Sequence, residues 1–524
     1  MVKKIEIMDT TLRDGEQMKG VSYSPKEKLA IAKILLDEVQ VDRIEIASAR
    51  VSKGEEESVR EIVNWARKTN HLEQVEILGF VDNKVSINWI NKLGAKVINI
   101  LSKGSLNHLS KQLRKTKEEH LKDIKDTVKF AKEKGIICNI YFEDWSQGMI
   151  HSMDYVYYLL DNLKDEPIKR FMLPDTLGIL SLNQVSKFLK DTLIRYPGLH
   201  FDFHAHNDYG IATANTITAV DVGIDGVHCT VNGMGERTGN APLEEVAVCL
   251  RDFLNIETGI NEKYLYHLSK TVEAFSGHRI AFNKPVCGTN VFTQTAGIHA
   301  DGDKKGNLYV TSLFPERFNR KRQYSLGKLS GKSNLEYNLE EIDIKLTKKQ
   351  KEQVLKRVIE LGDKKESITA GDLPYIISDV LEAPQKKAFK LKLCNIVTSM
   401  ELKPIAVIKL IYKDKIENKE IVIEENGQGD GGYDAFMNAI RKVADKINYN
   451  LPTLVDYTVN IPPGGKTDAL VQCTITWGWD NHKTFITKGI NSDQVLAAIE
   501  ATEKMLNIVA LQRNKKEEII DGKD

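Results

Sequence analysis

Eight short β-type runs, each followed by a stretch of helical period, fill the first half of the chain and leave few folds open to it. The runs are Ile5–Thr11, Arg43–Ser48, Val75–Phe80, Val97–Leu101, Ile137–Glu143, Arg170–Asp175, His200–His206 and Gly226–Val231. Helical stretches such as Pro25–Val39, Glu55–Lys68, Lys117–Lys134 and Asp154–Leu163 separate them, and Leu243–Leu254 supplies an eighth helix. Strands that alternate with helices must pair in parallel, and eight such units in roughly 250 residues predict a closed (β/α)8 TIM barrel of α/β class. In that fold the active site lies at the carboxyl ends of the strands.

The residues at those ends carry chemistry. The first run breaks at Gly15 just after Arg13 and Asp14, which places a cation donor beside a hard oxygen ligand. His204 and His206 stand at i and i+2 of the seventh run, so both project to one face. With Asp14 and with Asn240, from the glycine-rich loop 232–240, they make a donor set for a divalent metal that keeps positions open. A polar barrel mouth without metal is the alternative. That loop lacks the GxGxxG spacing of a dinucleotide site, and its expected role is to present Asn240, with Glu236 and Arg237 as a supporting pair. Glu143, ending the fifth run, can act as a base or orient one, and Thr176, after the sixth, can donate to a carboxylate. Each of these two also fits a cap or a turn.

Charge narrows the partners. The chain of 524 residues has 74 basic and 73 acidic side chains, net +1, which gives no reason to expect nucleic acid or an acidic membrane. Six cysteines without a CxxC pair read as reduced and cytoplasmic. No signal-peptide pattern and no apolar run of spanning length is found.

The second half is organised differently. Tyr264–Lys328 is a connector that holds Gly297-Ile-His-Ala-Asp-Gly302 and a basic turn, Arg317–Arg322, suited to solvent or to phosphate groups. Two helices, Leu346–Leu361 and Leu373–Leu381, follow. From Ala388 two units of three strands and a helix repeat at about 65 residues, which predicts a pseudo-symmetric α+β domain. Its loop with Gly427, Gly429, Asp430 and Gly431 could present backbone donors to an amino-acid carboxylate, or be a flexible turn. The expected domains are therefore residues 1–260, the barrel; 261–385, linker and helical subdomains with His299; and 386–524, the α+β repeat.

Several of these pieces together resemble the acyl-CoA Claisen-condensing family that includes isopropylmalate, homocitrate and citramalate synthases. They are Asp9-Thr-Thr-Leu-Arg-Asp-Gly-Glu-Gln17, His204-x-His206, Asn232-Gly-x-Gly-Glu-Arg-x-Gly-Asn240 and Gly297–Gly302. The resemblance implies acetyl-CoA as co-substrate and a divalent ion (Mn2+, Mg2+ or Zn2+) on Asp14, His204, His206 and Asn240. It also implies Arg13 and Thr176 as contacts to a 2-oxo acid, and Glu143 and His299 as the acid/base pair, with His299 reaching the site from a linker element or a partner subunit. Val41–Arg50 and Tyr141–Trp145 resemble the citramalate-synthase branch most, and Leu78, Leu101 and Tyr141 can close a pocket around one methyl group. Pyruvate is thus preferred to 2-oxoisovalerate, and 2-oxoglutarate is disfavoured for lack of a second cation. The C-terminal domain implies feedback inhibition by a branched-chain amino acid, isoleucine or leucine, in a homodimer. The competing readings are a CoA-independent metal-dependent aldolase or lyase, and a non-catalytic sensor of an amino acid or 2-oxo acid.

Overall fold

The computed structural model describes residues 5–342, 344–363, 368, 372–381, 388–414, 419–460, 471–478 and 484–521. Eight parallel strands close into a barrel in sequence order: β1 (Glu6–Asp9), β2 (Arg43–Ser48), β3 (Val75–Phe80), β4 (Val97–Lys103), β5 (Ile137–Glu143), β6 (Ile168–Asp175), β7 (Phe201–Ala205) and β8 (Gly226–Cys229). Closure comes from β1 against β8, with Glu6 opposite Gly226 and Asp9 opposite Cys229. The expected TIM barrel is what forms, and most strand ends fall within two residues of those read from the sequence. Capping explains why several helices start so sharply. Ser24 before Pro25 and Thr116 before Lys117 each close a capping box with a glutamate three residues on.

One helix differs from expectation. Pro25–Lys33 (α1) is α-helical, but Ile34–Val39 widens into a π-turn. Ile34, Leu35, Leu36 and Val39 are all buried, and the wider turn lets three consecutive apolar side chains face the barrel, which an α-helix of 3.6 residues per turn could not do.

The apolar core lies between strands and helices, not inside the barrel. Ile7, Ile44, Ile46, Ile77, Ile98, Ile100, Phe142, Phe171, Phe201 and Phe203 point outward into it. Inward-facing positions are largely polar. Arg43 donates to Glu76 at 3.2 Å and to Asp202 at 2.7 Å. Gly226 makes room for this group, because a Cβ there would overlap Asp202 Oδ1.

The chain divides into two compact units, Met1–Phe292 with Thr311–Lys321, and Thr293–Val310 with Arg322–Asp524. In the second unit, α2 (Lys332–Glu341), α3 (Lys348–Asp363) and α4 (Leu373–Val380) surround a small core of Leu335, Leu339, Val354, Val358 and Leu373. The expected border at 385/386 lies outside the described residues. Beyond it stand two antiparallel sheets of three strands, each followed by a helix, which is the expected double βββα repeat. The repeat extends to single residues. A Cβ on Gly427 would strike the backbone at Ala435 and Ala439, and one on Gly489 would strike it at Ala497 and Ala501.

Arg43→Met leaves Asp202 and Glu76 buried without their cation, so the variant should lose about 3–5 kcal/mol of stability. Chemical denaturation of the purified protein measures this, and an unchanged unfolding midpoint contradicts it.

Candidate active site

The site begins with a turn that has no freedom. The amides of Arg13, Asp14 and Gly15 all point at the carbonyl of Thr10, at 3.1, 2.8 and 3.2 Å. Asp9 accepts from the amide and hydroxyl of Thr11, and Thr11 Oγ1 accepts from the amide of Val231, which ties the turn to the loop after β8. From below, the buried ammonium of Lys28 donates to the carbonyls of Leu12 and Ile46 and pairs with Glu16 and Glu55. Motif reading missed Lys28, because a lysine in an amphipathic helix is read as a solvated face. Its signal is its place on the apolar stripe, three and four residues before Ile31 and Ala32 and seven before Leu35.

Asp14, His204 and His206 converge, with one ligand atom from each within 4.8 Å of the others. Asp14 is also bound by Arg13 Nη1 at 2.7 Å and by Asn240 Nδ2 at 2.9 Å. Burial pushes Asp14 up, but the Arg13 guanidinium beside it, with the Asn240 hydrogen bond, outweighs it and holds the carboxyl well below the usual carboxylate range. Burial lowers both histidines, so they stand as neutral imidazoles. Three buried atoms, His204 Nδ1, His206 Nδ1 and Asn240 Oδ1, have no hydrogen-bond partner among the described residues. A carboxylate, two neutral imidazoles and an amide oxygen fit a divalent ion. The glycine loop explains how Asn240 gets there. At Gly235 a Cβ would overlap the Asn240 amide, and at Gly239 it would overlap the carbonyl of Gly233. Both have positive φ. Arg237 pairs with Asp208 at 2.8 Å and donates to the carbonyl of Thr176, besides its 3.2 Å contact with Glu236. The expected Glu236–Arg237 pair is thus the lesser part of a clamp across three strand loops.

Arg13 continues inward, with its Nε on Glu45 and its Nη2 3.5 Å from Tyr141 Oη. Tyr141 packs with Met8, Leu78, Met172 and the partly buried Leu101. The three expected pocket residues therefore do cluster, and the structure adds Met8 and Met172 from β1 and β6. Burial, followed by the nearby Glu45, raises the Tyr141 hydroxyl far above its ordinary value and keeps it protonated.

Glu143 forms an ion pair with Lys103 at the end of β4. The next residue, Asp144, adopts φ of 65°, and its carboxylate accepts from Ser105 at 2.7 Å while its amide donates to Thr176 Oγ1 at 2.9 Å. Thr176 is then left with its own hydroxyl hydrogen to give. Gly104 lets this happen, because any Cβ there would meet the carbonyl of Phe142. Behind Lys103, Tyr155 donates to its carbonyl and contacts the buried His120 at 2.7 Å. Burial lowers His120 to about 4.

The remaining expected residues lie in the second unit. His299 sits on a helix, Gly297–Gly306, with Nδ1 3.2 Å from Gln294 Oε1 and its ring 4.2 Å from that of Tyr309. Of the loop read as an amide cradle, the Gly429 amide donates to the carbonyl of Pro404 and the Asp430 amide to Asp434. Asp430 itself is exposed and paired with Lys403 at 2.8 Å. Gly427 and Gly429 are needed for the helix to lie against its strand. Two of the amides expected to meet a ligand are therefore already bonded within the chain, which narrows the cradle to Gly431 and the helix start.

Three family models match the chain in succession: HMGL-like over residues 4–272, homocitrate synthase post-HMGL domain-like over 286–366, and the LeuA allosteric (dimerisation) domain over 367–510. Among similar proteins, the (R)-citramalate synthase CimA of Methanocaldococcus jannaschii is 34% identical over 506 residues, 96% of this chain and 99% of that protein. The 2-isopropylmalate synthase of the same organism is 33% identical over 521 residues, 98% of this chain and 96% of that protein.

Because the folded state keeps His120 neutral down to about pH 4 whereas the unfolded chain binds its proton near 6.5, stability should fall as pH drops through that window. His120→Gln should flatten this part of the stability–pH curve by up to about one proton of slope. Urea unfolding at stepped pH tests this, and identical slopes for variant and wild type contradict it.

Proposed function

This chain belongs to the HMGL-like family and is an acyltransferase of the kind that turns the acyl group into alkyl on transfer, and we propose from that premise that it condenses acetyl-CoA with pyruvate to give (R)-citramalate and CoA. The observation that supports pyruvate is the apolar cluster that Leu78, Leu101 and Tyr141 form with Met8 and Met172 beside Arg13. The 2-isopropylmalate synthase similarity keeps 2-oxoisovalerate as the second reading. A hydrophobic pocket separates one methylene from the next by only about 1–3 kcal/mol, so the choice rests on size alone.

The proposed roles are those that the family resemblance implies, and the barrel residues among them stand at the strand ends. Asp14, His204, His206 and Asn240 hold the divalent ion, which when bound polarises the carbonyl of the 2-oxo acid. Arg13, fixed by Glu45 and Asp14, holds the substrate carboxylate and the oxygen that gains charge. Thr176 donates its free hydroxyl hydrogen to the same carboxylate. Glu143 and His299 are assigned the proton transfers: a proton leaves the acetyl methyl group, that carbon bonds to C2 of the oxo acid, and the C2 oxygen is protonated. Water then cleaves the thioester and CoA leaves as the thiol. A pure sensor has no need of this paired proton-transfer set, and a CoA-independent lyase would turn over without acetyl-CoA.

The C-terminal repeat is proposed as the seat of feedback inhibition by a branched-chain amino acid, isoleucine under the pyruvate reading, and of homodimer formation. Leu393, Val397, Ile405, Val407 and Val422 are exposed on the face of the first sheet that its helix leaves bare, and Leu454, Val455, Ile486 and Ile490 are exposed on the second. Such apolar area suits a second copy of the chain. No helix among the described residues is long and apolar enough to cross a membrane, and all six cysteines are free, which supports a cytoplasmic place of work.

Thiol release from acetyl-CoA, measured with Mn2+ after EDTA treatment, should favour pyruvate over 2-oxoisovalerate by about tenfold in kcat/KM. EDTA should abolish it and Mn2+ restore it. Preference for 2-oxoisovalerate changes the assignment to 2-isopropylmalate synthesis, and no release with either substrate removes the condensation. Val407→Lys on the bare sheet face should lower the mass in solution from dimer to monomer, read by light scattering.

A further inference from the structure

Tyr141 meets the pocket with its ring and turns its hydroxyl back into the barrel. The hydroxyl has two polar neighbours, His228 Nδ1 at 3.1 Å and Arg13 Nη2 at 3.5 Å. The other nitrogen of His228, Nε2, lies 3.0 Å from Asp202 Oδ2, an oxygen that also accepts from Arg43 at 2.7 Å. The second oxygen of Asp202 faces His200 Nε2 at 2.9 Å. A ring nitrogen that faces a carboxylate carries the proton, so Nδ1 of His228 is an acceptor. Arg13 can only donate. The hydroxyl hydrogen of Tyr141 therefore goes to His228.

We propose that His228, held by Asp202, is a specificity-determining positioning residue: by taking the Tyr141 hydroxyl hydrogen it keeps the pocket wall wholly apolar, so that the enzyme selects a 2-oxo acid with an alkyl side chain over one that carries a hydroxyl. The inference rests on the reading that this pocket receives the side chain of the 2-oxo acid. Its physical basis is asymmetric. A site with no free donor leaves a substrate hydroxyl unpaired, and a buried unpaired hydroxyl is disfavoured. A tyrosine whose hydrogen is released into the same wall removes part of that penalty. His228 is completely buried and its ring stands 5.5 Å from that of Tyr141, through which its effect on the pocket passes. Its ring also stands edge-on to His204, at 5.5 Å between centroids, and metal content must therefore be checked in every variant.

The test uses the full chain loaded with Mn2+ and compares kcat/KM for pyruvate and for hydroxypyruvate. His228→Leu should lower the pyruvate-to-hydroxypyruvate ratio by about tenfold, through KM for hydroxypyruvate. His228→Gln, whose amide oxygen can accept the same hydrogen, should keep the wild-type ratio. Tyr141→Phe should also keep it, and should cancel the effect of His228→Leu in the double variant. This arm stands even if the His228 variants fail to fold, because a changed ratio in Tyr141→Phe means that the hydroxyl faces the pocket and overturns the proposal. An equal loss for both substrates in His228→Leu at full metal content marks a packing role and overturns it as well. Wild-type protein that releases no thiol removes the condensation and this inference together, whereas active wild type with an unchanged ratio in His228→Leu removes only the inference.

Discussion

A closed circuit of buried polar groups runs around the inside of the barrel, and the site depends on it. From Arg13 the bonds pass to Glu45, Asn99, Asn139, Glu76, Arg43, Asp202, His228 and Tyr141, and return to Arg13. Every strand from β2 to β8 except β6 contributes a member. Ions inside a protein are tolerated only when paired and hydrogen-bonded, since removing one from water costs several kcal/mol. Each member is therefore held by its neighbours, and Arg13 and Tyr141, the two members proposed to meet the substrate, inherit that rigidity. A barrel filled with branched aliphatic residues would be at least as stable but would have nothing to aim Arg13.

The apolar shell between strands and helices does the stabilising that the interior does not. Outward-facing isoleucines and phenylalanines pack there continuously, and the barrel can then devote its inner face to charge. The same division of labour recurs at the strand ends. Main-chain constraints, such as the Thr10 carbonyl gathering three amides and the left-handed Asp144, fix the direction of Asp14 and Glu143. Side-chain pairing fixes the charge state of Asp14, where Arg13 overcomes burial. Pre-set direction and charge are what metal-assisted attack on a carbonyl requires.

Glycines mark where two backbones must nearly touch. Gly104, Gly235 and Gly239 build the mouth of the barrel, and Gly427 and Gly489 seat helices in the C-terminal repeat. In the sequence all of these look alike. Only packing separates the loop that presents Asn240 from the loop at Gly427–Gly431, where two glycines serve helix placement and two amides are already bonded.

Much of the protein was legible before any coordinates. The alternation of eight β-type runs with helical stretches determined the barrel, because strands joined through helices pair in parallel and eight such units admit closure. Residues whose chemistry is local, Arg13, Asp14, His204, His206 and Asn240, stood out by type and by strand-end position. What tertiary structure decided were partners distant in sequence: Lys103 against Glu143, Lys28 under the Leu12 turn, Glu45 and Asp202 within the circuit, and His228 behind Tyr141. A charged residue in a strand or helix reads as solvent-facing when its counter-ion is many residues away. Periodicity records which face a side chain takes, but the closing of the barrel chooses what it meets there.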